Sequence, residues 1–85
     1  MPEVEVGVIE HYFDKLQVGA IEITDGELAV GDTIRIKGNT TDFTTTIHSM
    51  QIERQDVEKV QKGDSVGIKL KERVRIHDKV FKVTD

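Results

Sequence analysis

The side chains with chemical reach are scattered. Histidines stand at 11, 48 and 77, and no two share an i, i+2 or i+4 spacing. A zinc or iron site normally draws at least two ligands from such a local spacing, so isolated turn or surface histidines are the simpler reading. Sixteen Asp and Glu residues guarantee that some carboxylates lie near each other. A hydrolytic dyad, however, needs an apolar cleft that so small a domain hardly encloses, and solvated surface acids fit better. Cysteine is absent, which removes a thiolate nucleophile, a thiolate metal site and a disulfide framework. The chain also lacks a Gly-x-Ser-x-Gly elbow, a Gly-x-Gly-x-x-Gly turn and a Walker-type phosphate loop. These features lead us to expect no catalytic centre, no cofactor and no nucleotide hydrolysis.

Two places have the chemistry for binding. Lys69, Lys71, Arg73 and Arg75 alternate with Leu70, Glu72 and Val74, between Ile68 and Ile76. In an extended strand the four cations would form a row spaced roughly 6.6 Å apart, close to a phosphate repeat. The competing reading is a solvated strand face whose lysines discourage edge-to-edge pairing, and Glu72 would bend the row. The second place is the Asn39–Phe43 loop, with Thr41, Asp42 and Phe43, taken together with His48. An acid and an aromatic there suit hydrogen bonding and stacking on a base or peptide. Equally, Asp42 could cap a turn while Phe43 plugs the core.

The elements that must position these groups read as strands. Val4–Val8 alternates apolar residues with Glu5 and Gly7 and runs on to Phe13, and Val18–Ile23 follows after a turn at Asp14-Lys15. Asp25-Gly26 closes that strand. One pattern then recurs three times, as Val30-Gly31-Asp32-Thr33-Ile34, Lys62-Gly63-Asp64-Ser65-Val66 and Ile76-His77-Asp78-Lys79-Val80. Each predicts a tight turn opening a strand, with Gly free to take a positive φ and Asp able to hydrogen-bond the backbone ahead of it. His77 replaces Gly in the third copy and is first of all a turn residue, since His tolerates positive φ. Phe43 and Ile47 sit on odd positions but Met50 and Ile52 on even ones, which predicts a β-bulge near His48-Ser49. Arg54–Val60 is assigned as connection, being too short for an independent helix. About seven short strands with regular turns predict a small, closed, antiparallel all-β barrel forming one domain.

The order of these motifs resembles a known family. Leu28–Ile34, then Ile47–Ile52, then Lys62–Leu70 is similar to the second domain of translational GTPases such as elongation factor Tu. A closer likeness is to the C-terminal domain of collagenase-like peptidases and tRNA-hydroxylation proteins. It is carried by Gly38–Phe43, by Ser49-Met50-Gln51 and by His77–Val83, with His77 as the one departure from the pattern. The resemblance implies a translation-factor-like barrel without a GTPase or peptidase domain. As partners it implies tRNA or the ribosome or, alternatively, a larger peptidase-like or RNA-modifying enzyme on which the barrel docks.

Composition bounds these readings. The 85 residues, 36% hydrophobic and 33% charged, are those of a folded domain and not of a disordered segment. The opening Met-Pro-Glu-Val-Glu-Val has no basic patch or apolar run, so neither a signal peptide nor a membrane span is expected, and the expected setting is cytoplasmic. Net charge is −4, which disfavours a uniformly basic nucleic-acid binder. Residues 1–53 nevertheless carry ten acids against three bases, while residues 54–85 carry nine bases against six acids. An anionic partner would therefore favour the C-terminal third.

Overall fold

A computed structural model describes residues 2–84. Ten strands follow one another: β1 (Glu3–Phe13), β2 (Val18–Ile23), β3 (Glu27–Ala29), β4 (Thr33–Lys37), β5 (Asp42–Thr46), β6 (Met50–Ile52), β7 (Gln55–Val57), β8 (Lys59–Gln61), β9 (Ser65–Lys69) and β10 (Lys79–Val83). Every pairing is antiparallel. Eight strands make one sheet in the order β5-β4-β10-β1-β2-β9-β6-β7, and β3 pairs with β8 as a separate ribbon. No helix of the described residues is long and apolar enough to cross a membrane.

One aliphatic core gathers the inward face of the sheet and of the ribbon. Ile9, Ile21, Ile23, Ile34, Ile36 and Ile68 are almost fully buried, and Leu28 of β3 and Val60 of β8 belong to the same cluster. The ribbon is tied to the sheet through backbone bonds from Gly31 N to Ile47 O at 2.8 Å and from Gly63 N to Ile23 O at 2.9 Å. The hydrogen-bonded ladder itself does not close. Its ends are β5 and β7, so the expectation of a closed barrel is met only as a small, all-β, antiparallel sheet around one core.

The three recurrent turns share one construction. In each, residue i+3 is Asp, and its Oδ2 accepts from the backbone N–H of residue i at 2.9 Å, at Ala29, Gln61 and Arg75. The Asp N–H donates to the carbonyl of the same residue i, at 3.0, 3.0 and 3.1 Å. The Asp thus bonds back to residue i, not onward into the strand. Position i+2 takes a positive φ, 99° at Gly31, 98° at Gly63 and 79° at His77, the pattern of a type II turn. His77 fills the glycine position as a turn residue, as expected.

The structure departs from the sequence reading in three places. Residues 47–49 form no bulge: they are the link between β5 and β6, anchored by Ile47, whose backbone bonds to Gly31 and Asp32, and because β5 and β6 have different pairing partners the inward parity changes here. Arg54–Val60 is not a mere connection, because Glu53 and Arg54 both take positive φ, 50° and 67°, and reverse the chain into the β6–β7 hairpin. Such consecutive positive φ values mark a type I′ turn. The alternation of β1 is likewise interrupted by irregularities between Glu5 and Gly7 and between Ile9 and His11. Val6 and Ile9 are therefore both buried, while Val4 is exposed.

Candidate functional site

The Asn39–Phe43 loop is largely taken up by the fold. Phe43 is buried in the core, as in the plug reading, and Thr41 is buried with its carbonyl accepting from Gly38 N at 2.7 Å. Asp42 does not cap a turn. It receives a two-pronged contact from Arg35 across the β4–β5 pair, Nε to Oδ1 and Nη2 to Oδ2, both at 2.8 Å. Arg35 Nη1 also reaches Glu3 Oε2 at 3.1 Å, so one guanidinium clamps two carboxylates on the outer face. The hydrogen bond from Arg35 holds the Asp42 carboxyl below its ordinary range, against a cost of desolvation and with lesser help from the charges of Arg35 and Lys37. His48 is exposed on the 47–49 link, in a separate hollow with Val30, Ser49, Asp56 and Glu58, and none of residues 39–43 lines it.

The four cations do not form one straight row. β9 ends at Lys69, the chain bends at Lys71-Glu72, and residues 73–75 run without regular pairing. The cause lies in the alternate residues: Leu70 and Val74 turn inward and are buried beside Gly19, whose bare Cα leaves the room they fill. A Cβ on Gly19 would stand 2.6 Å from Leu70 Cδ1. Leu70 N also donates to Gln17 O at 2.8 Å, which ties this segment to the β1–β2 hairpin. Lys69, Lys71, Arg73 and Arg75 all remain exposed. Among the described residues Lys69, Lys71 and Arg75 enter no ion pair, and Arg73 meets Asp14 only at 3.9 Å.

Docking of that segment on the hairpin creates a ledge that the sequence reading does not contain. Two adjoining hollows share His11, Tyr12 and Asp14. One continues to Arg73, Arg75 and Ile76, the other to Phe13, Lys15 and Leu16. His11 packs edge-on to Phe13, ring centroids 4.5 Å apart and planes at 70°. Phe13, Leu16 and Ile76 are 45%, 66% and 55% exposed. Ile76 therefore does not continue the inward face beside Leu70 and Val74, because it falls at the i+1 position of the Asp78 turn. A further hollow joins Arg75 and Ile76 to Lys37, Gly38 and Asn39, so one end of the predicted loop does meet the cationic segment. The sequence signal for the ledge was Leu16 in a polar turn and a His-Tyr-Phe run at the hairpin end. No three His, Asp or Glu residues among those described are grouped to hold a metal ion.

Comparison with known proteins agrees with this architecture. The chain is 40% identical over 80 residues to an uncharacterized protease of Methanocaldococcus jannaschii, covering 93% of the chain and 19% of that protein. It is 40% identical over 81 residues to a collagenase of Porphyromonas gingivalis, covering 94% of the chain and 20% of that protein. The chain thus spans about a fifth of the length of the curated relatives it matches. Among solved structures it is similar to the C-terminal domain of a Geobacillus thermoleovorans protein assigned to the U32 peptidases. The TM-score is 0.87 at 15% identity, over 95% of this chain and 93% of that one, a likeness of fold. The family model for elongation factor Tu domain 2 matches residues 17–73, from the hairpin turn through Arg73. With strands, turns and family pattern in accord, the chain belongs to the elongation factor Tu domain 2 family.

Proposed function

We propose that this chain is a non-catalytic binding module that serves a larger peptidase-like enzyme, to which it brings a docking surface and no reacting group. The observation that carries this reading is its 40% identity, along nearly its whole length, to about a fifth of proteins named protease and collagenase. A segment of that size that folds around its own core is suited to an accessory role. The ledge of exposed aromatic, aliphatic and arginine side chains has the composition of a protein-interaction surface. The setting we propose is cytoplasmic. The test is recovery of the tagged chain from its own cells, with an identified peptidase-like chain at near-equal amount and after nuclease treatment. Recovery of the module alone would count against the proposal.

A second reading, association with RNA or the translation apparatus, is favoured by one observation: Lys69, Lys71 and Arg75 are exposed and free of ion pairs among the described residues. It requires binding to tRNA or ribosomes that weakens steeply with salt and falls when Lys69, Lys71, Arg73 and Arg75 are neutralised. Absence of binding at low salt removes it.

A further inference from the structure

We propose that the ledge between the β1–β2 hairpin and residues 73–77 receives an extended protein segment bearing carboxylates and large apolar side chains. The accessory-module reading says where such a partner is found. The chemistry of the segment follows from the ledge itself.

The apolar half of the requirement comes from where exposure is concentrated. Of the five large hydrophobic residues most exposed among those described, Phe13, Leu16 and Ile76 lie here, whereas Val4 and Val30 lie elsewhere. Apolar side chains gathered on one concave surface gain from being covered, and a rim of polar groups marks such a place as a contact site. The ledge is also held firm. Leu70 and Val74 are buried beside Gly19, Leu70 N is bonded to Gln17 O at 2.8 Å, and the Asp78 turn fixes Arg75 to His77. A surface that need not be ordered on binding loses less entropy.

The acidic half comes from charge complementarity. Arg75 has no carboxylate partner among the described residues, Arg73 has only the 3.9 Å contact with Asp14, and Lys15 lines the neighbouring hollow. Guanidinium groups beside aromatic and aliphatic surface suit carboxylates placed between apolar residues. Nucleic acid is the poorer match. Asp14 lies on the ledge, and the adjoining hollow past Ile76 presents two carboxylates, Glu10 and Glu22, against one lysine, Lys79. A phosphate backbone running on in that direction meets repulsion. Of the ledge's exposed apolar residues only Phe13 offers a ring on which a base can stack, and its neighbours Leu16 and Ile76 offer none. A short peptide, by contrast, can set its charges only where the cations stand.

The test is an NMR titration of the isotope-labelled chain with three probes. These are a peptide of about ten residues alternating Glu with Leu and Phe, the same peptide with Lys in place of Glu, and an oligouridylate of matching length. The Glu peptide is expected to shift the amides of residues 11–16 and 73–77 and to bind at least about tenfold more tightly than the Lys peptide. Either Arg75→Ser or Ile76→Ser, both at exposed positions, is expected to weaken it by about tenfold. Tighter binding of the oligouridylate, shifts confined to other residues, or unchanged affinity in both variants overturns the proposal. So does capture of a peptidase-like chain that is equally strong when Arg75→Ser and Ile76→Ser are combined, although the accessory reading then stands. Failure of that capture by the unaltered chain removes the accessory reading and leaves the peptide result to decide this one.

Discussion

The carboxylate of Asp78 fills the space that a side chain on Gly38 would need. These residues flank the same end of the antiparallel β4–β10 pair, Gly38 just past Lys37 and Asp78 just before Lys79, which are direct partners. The missing side chain at one position therefore lets the other close its turn by accepting from Arg75 N at 2.9 Å.

Gly38→Ala is accordingly expected to lower stability by about 1 to 3 kcal/mol, because Asp78 is buried and has nowhere to retreat. In an Asp78→Ala background the same change should cost less than it does alone. Urea denaturation of the four proteins checks this, and strictly additive losses would refute the shared-volume account.

His77 occupies with a φ of 79° the place that Gly31 and Gly63 hold in the sister turns. Exchange to glycine, His77→Gly, should leave stability unchanged or raise it by up to about 1 kcal/mol, whereas His77→Val should lower it by about 1 to 3 kcal/mol. Thermal melts of both variants give the answer, and a large loss in the glycine variant would show that the imidazole itself contributes.

The β6–β7 hairpin turns through Glu53 and Arg54, neither of them a residue at ease with positive φ. Replacing the pair by Glu53→Asn with Arg54→Gly should stabilise the chain by about 1 kcal/mol. Denaturant midpoints measure the gain, and a loss would mean that one of the two side chains makes a contribution of its own.

Acid should loosen the outer clamp. The Asp42 carboxyl lies below its ordinary value of 3.8 because Arg35 hydrogen-bonds its charged form. A depressed carboxyl pKa contributes stability that is present above the unfolded value and is lost as pH falls through the folded one. The acid limb of stability against pH should therefore be shallower in Asp42→Asn than in the unaltered chain. Parallel limbs would show that the pair, exposed as it is, contributes nothing measurable.

The sequence was most readable where local chemistry decides the structure. The β1–β2 hairpin, the three Asp turns and the aliphatic strands follow from Gly, Asp and period-2 alternation within a few residues. The β7 strand escaped because Gln55-Asp56-Val57 does not alternate and the turn before it contains no Gly or Asn. The ledge escaped for a different reason. Alternation assigns Ile76 to the core with Leu70 and Val74, but the Asp78 turn rotates it outward beside a hairpin some sixty positions earlier in the chain. Such a meeting is set by tertiary packing, which no local pattern encodes.

The position of β10 bears on how the chain acquires its structure in time. This strand is synthesised after the other nine, yet it lies between β1 and β4 and, among the described residues, supplies the only ladder that joins them. Hairpins made from earlier strands can form as they emerge, but β1 must wait for residues 79–83 before its second neighbour exists. Pairing across such sequence distances is slow. Folding is therefore expected to finish only after residues 79–83 clear the ribosome, with the edges of β1 and β4 open to helpers or to mispairing until then.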